Sequence, residues 1–179
     1  MNKIKIRAER EGDIEAVHQV NALAFRQENE AQIVDKLRAR GVPLISLVAV
    51  LDEQVVGHAL FSPVTVVGEA PTLSKVEETV ISSIALGPIG VLPEYQKQGI
   101  GGMLIRAGLE ACRDAGHGAV FVLGHSKYYP RFGFQPTKPH GIICEFPAPP
   151  EAFMVVELVP GTLANLQGTV TYQPEFQGS

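Results

Sequence analysis

The spacing of apolar residues changes several times along the chain, and each change marks a predicted element. Lys3 to Ala8 alternates charged and apolar side chains, the period of an edge strand. Asp13 then stands as an N-cap, and Ile14, Val17, Val20, Asn21 and Phe25 recur at helical spacing. A second helix is predicted from about Glu28 to Arg40 on Ile33, Val34 and Leu37, ended by Gly41-Val42-Pro43. Leu44 to Leu51 and Val55 to Val67 read as a hairpin around Asp52-Glu53, with Gly57 and Pro63 marking bends or edges. Gly68 to Lys75 is a polar loop. Val76 to Val91 is the next strand, interrupted at Gly87-Pro88 as a β-bulge would interrupt it.

A glycine-rich turn follows, then an amphipathic helix from Gly99 to Ala115. Gly116-His117-Gly118 turns the chain into Ala119 to Leu123, a fully apolar run expected of a central, parallel strand. Ser126 to Arg131 suits a short helix. Pro147 to Pro150 reads as a rigid surface loop, and Phe153 to Val159 as a last strand. The order βααβββαβα followed by strands predicts an α/β chain: a central mixed sheet with helices on both faces. Residues 1–159 are expected to form one domain. Residues 160–179 form a C-terminal extension packed on it or trailing from it, and the spacing of Tyr172 and Phe176 suits docking.

Composition narrows the function. The chain has 179 residues and a formal net charge of −4, with no dense basic run, so nucleic acid is not an expected partner. Mild acidity is compatible with a cationic amine substrate. The alternating N-terminus lacks the apolar core of a signal peptide, and no run reaches membrane-spanning length. The two cysteines, Cys112 and Cys144, are expected to be reduced structural thiols of a cytoplasmic protein. The five histidines and two cysteines show no metal-ligand spacing.

The sharpest chemistry lies in Gln96-Lys97-Gln98-Gly99-Ile100-Gly101-Gly102. A glycine-rich turn between a strand and a helix aims free backbone N–H groups at one spot, where the helix dipole adds positive potential, so it suits a phosphate or pyrophosphate. The Lys-Ser/Thr ending of a P-loop is missing, and the G-x-G-x-x-G order of a dinucleotide fold is not met.

The order Val91-Leu92-Pro93 followed by Q-x-x-G-x-G resembles the pyrophosphate loop of the GNAT superfamily of N-acetyltransferases. Downstream, Tyr128-Tyr129-Pro130-Arg131-Phe132-Gly133-Phe134 resembles that family's Y-x-k-x-G-F segment, and the phrase from Gly124 is closest to its YhbS-like bacterial branch. The resemblance covers Ile4 to about Val159. It implies a GNAT-like acyl-CoA N-acyltransferase fold with acetyl-CoA as donor. It implies that backbone groups of Ile89, Gly90 and Val91 hold the pantetheine arm, with the pyrophosphate at Gln96, Lys97, Gln98, Gly99, Ile100, Gly101 and Gly102. Tyr129 matches the family's general acid, with Tyr128 the alternative if the register slips by one. Ser126 stands nearest to where many members carry an Asn toward the pantetheine.

The glutamate that many members use as a base is missing from Thr79 to Leu86. His58, His125 and water are the alternatives. Arg131 serves a cofactor phosphate or a surface ion pair. The function expected is transfer of the acetyl group of acetyl-CoA to an amine of a small molecule or protein. A non-catalytic acyl-CoA-binding module, or transfer of another acyl chain or to another acceptor, stands as the alternative, and a sheet-edge homodimer is a plausible assembly.

Overall fold

The computed structural model describes residues 3–68 and 83–177. In chain order they form β1 (Lys5–Ala8), α1 (Ile14–Phe25), α2 (Asn29–Ala39), β2 (Ile45–Leu51), β3 (Gln54–Val67), β4 (Ser83–Val91), α3 (Ile100–Asp114), β5 (Ala119–Leu123), β6 (Gln135–Pro136), β7 (Ile142–Cys144), β8 (Phe153–Glu157) and β9 (Gly168–Thr171). Most of the polar loop from Gly68 and the strand start expected at Val76 lie outside the described residues. The chain divides into two compact units, one within Met1–Ser62, Leu86–Ala111 and Gln173–Ser179, the other within Pro63–Ala85 and Cys112–Tyr172.

In the first unit the strands follow the order β1-β2-β3-β4. β1 and β2 pair antiparallel from Lys5↔Val50 to Ala8↔Leu47, and β2 and β3 pair antiparallel from Ile45↔Phe61 to Leu51↔Gln54. Asp52 and Glu53 take φ of 49° and 65°, the doubly left-handed geometry that matches hairpin twist. The register slips between Ala49 and Val50, leaving Val56 as the extra residue, and its carbonyl accepts the Leu92 N–H at 2.8 Å.

Helices cover both faces of this unit, and two consecutive residues of β3 show it. Gly57 faces α3, where a Cβ would lie 3.2 Å from Leu104 Cδ1 and 3.3 Å from Ile100 Cγ2. His58 faces the other way and bonds Asn21 of α1. Gly57 therefore serves close helix packing rather than the bend the sequence suggested. The same closeness recurs at Gly108 of α3, whose Cβ would stand 2.2 Å from Phe61 Cζ. Val17, Val34, Leu37, Val48, Leu60, Phe61, Leu104 and Ile105 fill the space with almost no exposure, each such side chain contributing about 1.5–3 kcal/mol on burial.

Two expectations are corrected here. Asp13 does not cap α1 with its side chain; its carboxylate turns back to the Arg10 N–H at 2.7 Å and to Arg7 at 2.6 and 3.0 Å. The Arg7 hydrogen bond holds the Asp13 carboxyl below the usual range. β4 runs on through Gly87–Pro88, whose peptide bond is cis, rather than breaking there. The C-terminal turn Pro174–Phe176 sits on α2, where Arg40 makes a two-pronged contact to Glu175 at 2.6 and 2.8 Å and also donates to Gln173 at 2.7 Å.

In the second unit β5 pairs antiparallel with β8, from Ala119↔Glu157 to Leu123↔Phe153. β8 pairs antiparallel with β6, and the end of β3 pairs with β9, which runs parallel to β7. β6, β7 and β9 have two to four residues each, too few to show an alternation. Phe121 and Phe153 stack with centroids 5.6 Å apart across the β5–β8 pair.

Candidate active site

β4 hands the chain to the glycine turn through a short 3-10 turn, Pro93–Tyr95. Gln96 Nε2 donates to the Val91 carbonyl at 2.9 Å and so staples the turn to the end of the strand. Lys97 and Gly99 are exposed and left-handed, with φ of 63° and 85°. A Cβ on Gly99 would meet no atom within 4 Å, so this glycine answers a conformational demand, not a spatial one. The Gly99 carbonyl accepts the Met103 N–H at 3.1 Å, the first bond of α3. The N–H groups of Ile100, Gly101 and Gly102 precede it, and no described residue accepts from them. Three donors at the positive end of a 15-residue helix, two of them on residues without side chains, make a site for an anion.

Gly90, on the strand that enters this turn, is buried against α1. A Cβ there would come within 2.9 Å of Ala24 Cβ and 3.4 Å of Phe25 Cε2. Ile89 and Val91 flank it half-buried.

Next to Gly90 runs a buried polar chain. Asn21 Nδ2 donates to the Val17 carbonyl at 3.1 Å and to His58 Nδ1 at 3.0 Å. With Nδ1 accepting, the neutral imidazole carries its proton on Nε2 and donates it to Ser46 Oγ at 2.8 Å. His58 is fully buried, and burial, with Arg38 adding to it, pushes its pKa down to about 3. Both ring nitrogens are engaged and the ring resists protonation, so His58 is poorly suited to take a proton from an amine. Asn21, which sequence periodicity marked only as a core helix position, is the residue that sets this state.

In the second unit Tyr129 opens the 3-10 turn Tyr129–Phe132 and is buried, with its ring edge-on to Tyr128 at 5.2 Å and to Phe134 at 5.6 Å. Burial, then the neighbouring Tyr128, pushes its pKa up to about 12. No described residue hydrogen-bonds its hydroxyl. Gly124 is what lets the ring in, since a Cβ there would stand 2.8 Å from Tyr129 Cε2. The missed signal was the glycine that immediately follows the apolar strand. Tyr128 is half-buried against Phe132 at 5.2 Å, and the Arg131 guanidinium lies 4.8 Å over its ring. Arg131 thus stacks on Tyr128. Ser126 is half-buried and His125 exposed in the same turn, where the His125 carbonyl accepts the Tyr128 N–H at 3.1 Å.

Cys112 is fully buried, and burial pushes its thiol up to about 12; Cys144 is half-buried and raised by the same cause. Neither holds a ready thiolate.

A mostly antiparallel sheet with flanking helices, sending one strand into a glycine-opened helix, is an architecture this chain shares with acyltransferases. Residues 5–137 match the acetyltransferase (GNAT) domain model, and the chain belongs to the GNAT family of acetyltransferases. It is 34% identical over 154 residues to the uncharacterised N-acetyltransferase YhbS of Escherichia coli K12, covering 86% of each chain. It is 40% identical over 144 residues to the uncharacterised N-acetyltransferase YjhQ of the same organism, covering 78% of this chain and 74% of that one. The crystal structure of E. coli YhbS in complex with CoA superimposes with a TM-score of 0.88 at 32% identity, over 98% of this chain and 93% of that one. A Brucella melitensis GNAT acetyltransferase in complex with acetyl-CoA gives 0.76 at 35% identity, over 98% and 99%.

Proposed function

We propose that this protein transfers the acetyl group of acetyl-CoA directly to a primary amine of a small molecule or a protein. The observation that carries the reading is the set of N–H groups on Ile100, Gly101 and Gly102, which fits the pyrophosphate of that donor. Similar chains crystallised with CoA and acetyl-CoA support it. Bound there, acetyl-CoA supplies a thioester whose carbonyl carbon an amine attacks as the sulfur leaves.

The chain's own residues divide the work. Gln96, Lys97, Gln98 and Gly99 shape the turn and Ile100, Gly101 and Gly102 donate to the anion. Backbone groups of Ile89, Gly90 and Val91 line the pantetheine arm, with the Ser126 hydroxyl as a further partner. Holding the donor still supplies much of the rate. Tyr129 is the acid toward the leaving sulfur. Its raised pKa keeps the proton in place at any physiological pH, so the O–H stabilises charge as it develops on sulfur. The buried neutral state of His58 leaves water, or the exposed His125, to receive the amine proton.

A screen of polyamines, amino acids, aminoglycosides and peptide N-termini tests the reading, following thiol release and acetylated product. Acetyl-CoA binding without release or product across these classes would replace it with an acyl-CoA-binding module.

A further inference from the structure

We propose that Ala24 of α1 is a positioning residue for the donor: its methyl group is the stop against which Gly90 rests, and it sets where β4 presents Ile89 and Val91.

Two choices that cost stability meet at this contact. The first is Gly90. Glycine inside a strand gives up packing and backbone entropy, and it often marks a close approach. Gly90 is buried and its backbone is not left-handed, so it answers a demand of space. Outside its chain neighbours, the three atoms nearest the place of its missing Cβ all belong to α1. They are Ala24 Cβ at 2.9 Å, Phe25 Cε2 at 3.4 Å and Asn21 Oδ1 at 3.6 Å. Residues 21, 24 and 25 form one ridge of the helix, and Ala24 is its point of closest approach.

The second choice is Asn21. It is fully buried, yet its Oδ1 has no hydrogen-bond partner among the described residues, a cost that an apolar side chain would avoid. What the amide provides is register. Its Nδ2 donates to the Val17 carbonyl and to His58 of β3. Turning the amide over would set its oxygen against the Val17 carbonyl, so its orientation is fixed. The ridge cannot slide along the sheet without breaking the bond to His58. β4 lies beside β3, and the Leu92 N–H is held by the Val56 carbonyl of β3 at 2.8 Å. Helix and strand end are both pinned to β3, and a glycine against a methyl group closes the gap between them.

Ile89 and Val91 flank that glycine. On the reading of their backbone as the holder of the pantetheine arm, on which this inference rests, a shift of Gly90 misplaces both. A methyl group added at Gly90 points at α1, so it reaches the donor only by moving the strand.

The test is acetyl-CoA affinity of the full chain by calorimetry, measured well below the Tm of each variant. There a contact that only stabilises the fold changes Tm and leaves affinity alone. Gly90→Ala should weaken binding about tenfold, the loss of one backbone hydrogen bond to the arm. Ala24→Gly removes the stop and should weaken it less. Combining the two moves the methyl group from helix to strand and should return affinity to within about twofold of wild type. Ala24→Val crowds the same contact from the helix side, should also weaken binding, and serves if Gly90→Ala does not fold. Unchanged affinity in Gly90→Ala or Ala24→Val, or no recovery in the double variant, would overturn the proposal and leave acetyl-CoA as the donor. A wild-type protein that does not bind acetyl-CoA would overturn both.

Discussion

Gly124 and Tyr129 fit backbone against ring: a Cβ on Gly124 would stand 2.8 Å from Tyr129 Cε2. Gly124 cannot retreat freely, because its N–H is held by the Ala152 carbonyl at 2.9 Å. Gly124→Ala should therefore tilt the tyrosine rather than move the strand end. Displacing a reacting group by about 1 Å costs up to roughly 100-fold in rate, so kcat should fall about 10–100-fold. Acetyl-CoA affinity by calorimetry should change little. An unchanged kcat would mean that the ring position does not matter to turnover.

Tyr129→Phe removes the hydroxyl and keeps the ring packed against Tyr128 and Phe134. On its proposed role as the acid toward sulfur, its loss should lower kcat by roughly 10²–10⁴-fold with little effect on acetyl-CoA binding. Because burial pushes this phenol up to about 12, the wild-type rate should show no alkaline loss from Tyr129 below about pH 11. Tyr128→Phe should be much milder, since that ring is committed to Phe132 and Arg131. Equal rates for wild type and Tyr129→Phe, with chemistry rate-limiting, would take Tyr129 out of the mechanism.

Gly99 separates conformation from space. Its φ of 85° is strained for any residue with a Cβ, yet a Cβ would touch nothing in the free protein. Gly99→Ala should therefore destabilise the fold by only about 1–2 kcal/mol, the left-handed penalty. Gly99→Val adds β-branched bulk beside the three free N–H groups and should abolish acetyl-CoA binding. Calorimetry on both variants checks this, and wild-type affinity in Gly99→Val would move the pyrophosphate elsewhere.

The longer elements were legible in the sequence because their periods are long. α1, α2 and the β2–β3 hairpin fall within a residue or two of their expected bounds, and β5 matches at both ends. The glycine turn was legible because glycines between a strand and a helix leave few physical readings. The rest depended on residues distant in sequence. The antiparallel partner of β5 was not legible, because an apolar run reports burial, not the direction of its partner, and β8 lies some thirty residues on. His58 looked like a base because a histidine's own pKa suits one. Its neutral state comes from complete burial, with Arg38 adding to it, and its tautomer from Asn21, 37 residues earlier. Nothing local to Gly57, Gly90 or Gly124 shows which side chain comes close enough to require a glycine.

His58 should make the protein acid-sensitive in a window set by its own burial. Its folded pKa of about 3 lies below the ordinary 6.5, so the unfolded chain binds the proton first as pH falls. The stability tied to neutral His58 is complete above pH 6.5. It is lost at about 1.4 kcal/mol per pH unit as pH falls toward 3. For a domain of this size that is about 3–5 °C of Tm per pH unit. His18 works in the opposite sense: its raised pKa contributes stability below its unfolded value and loses it as pH climbs through the folded one. Thermal melts between pH 7 and 4.5 should fall steeply in wild type. His58→Gln keeps an acceptor for Asn21 and a donor for Ser46 but cannot titrate. Its melting temperature should start lower and fall less steeply over the same range. Comparing slopes removes the general cost of the substitution, and parallel slopes would show that the buried imidazole does not govern acid stability.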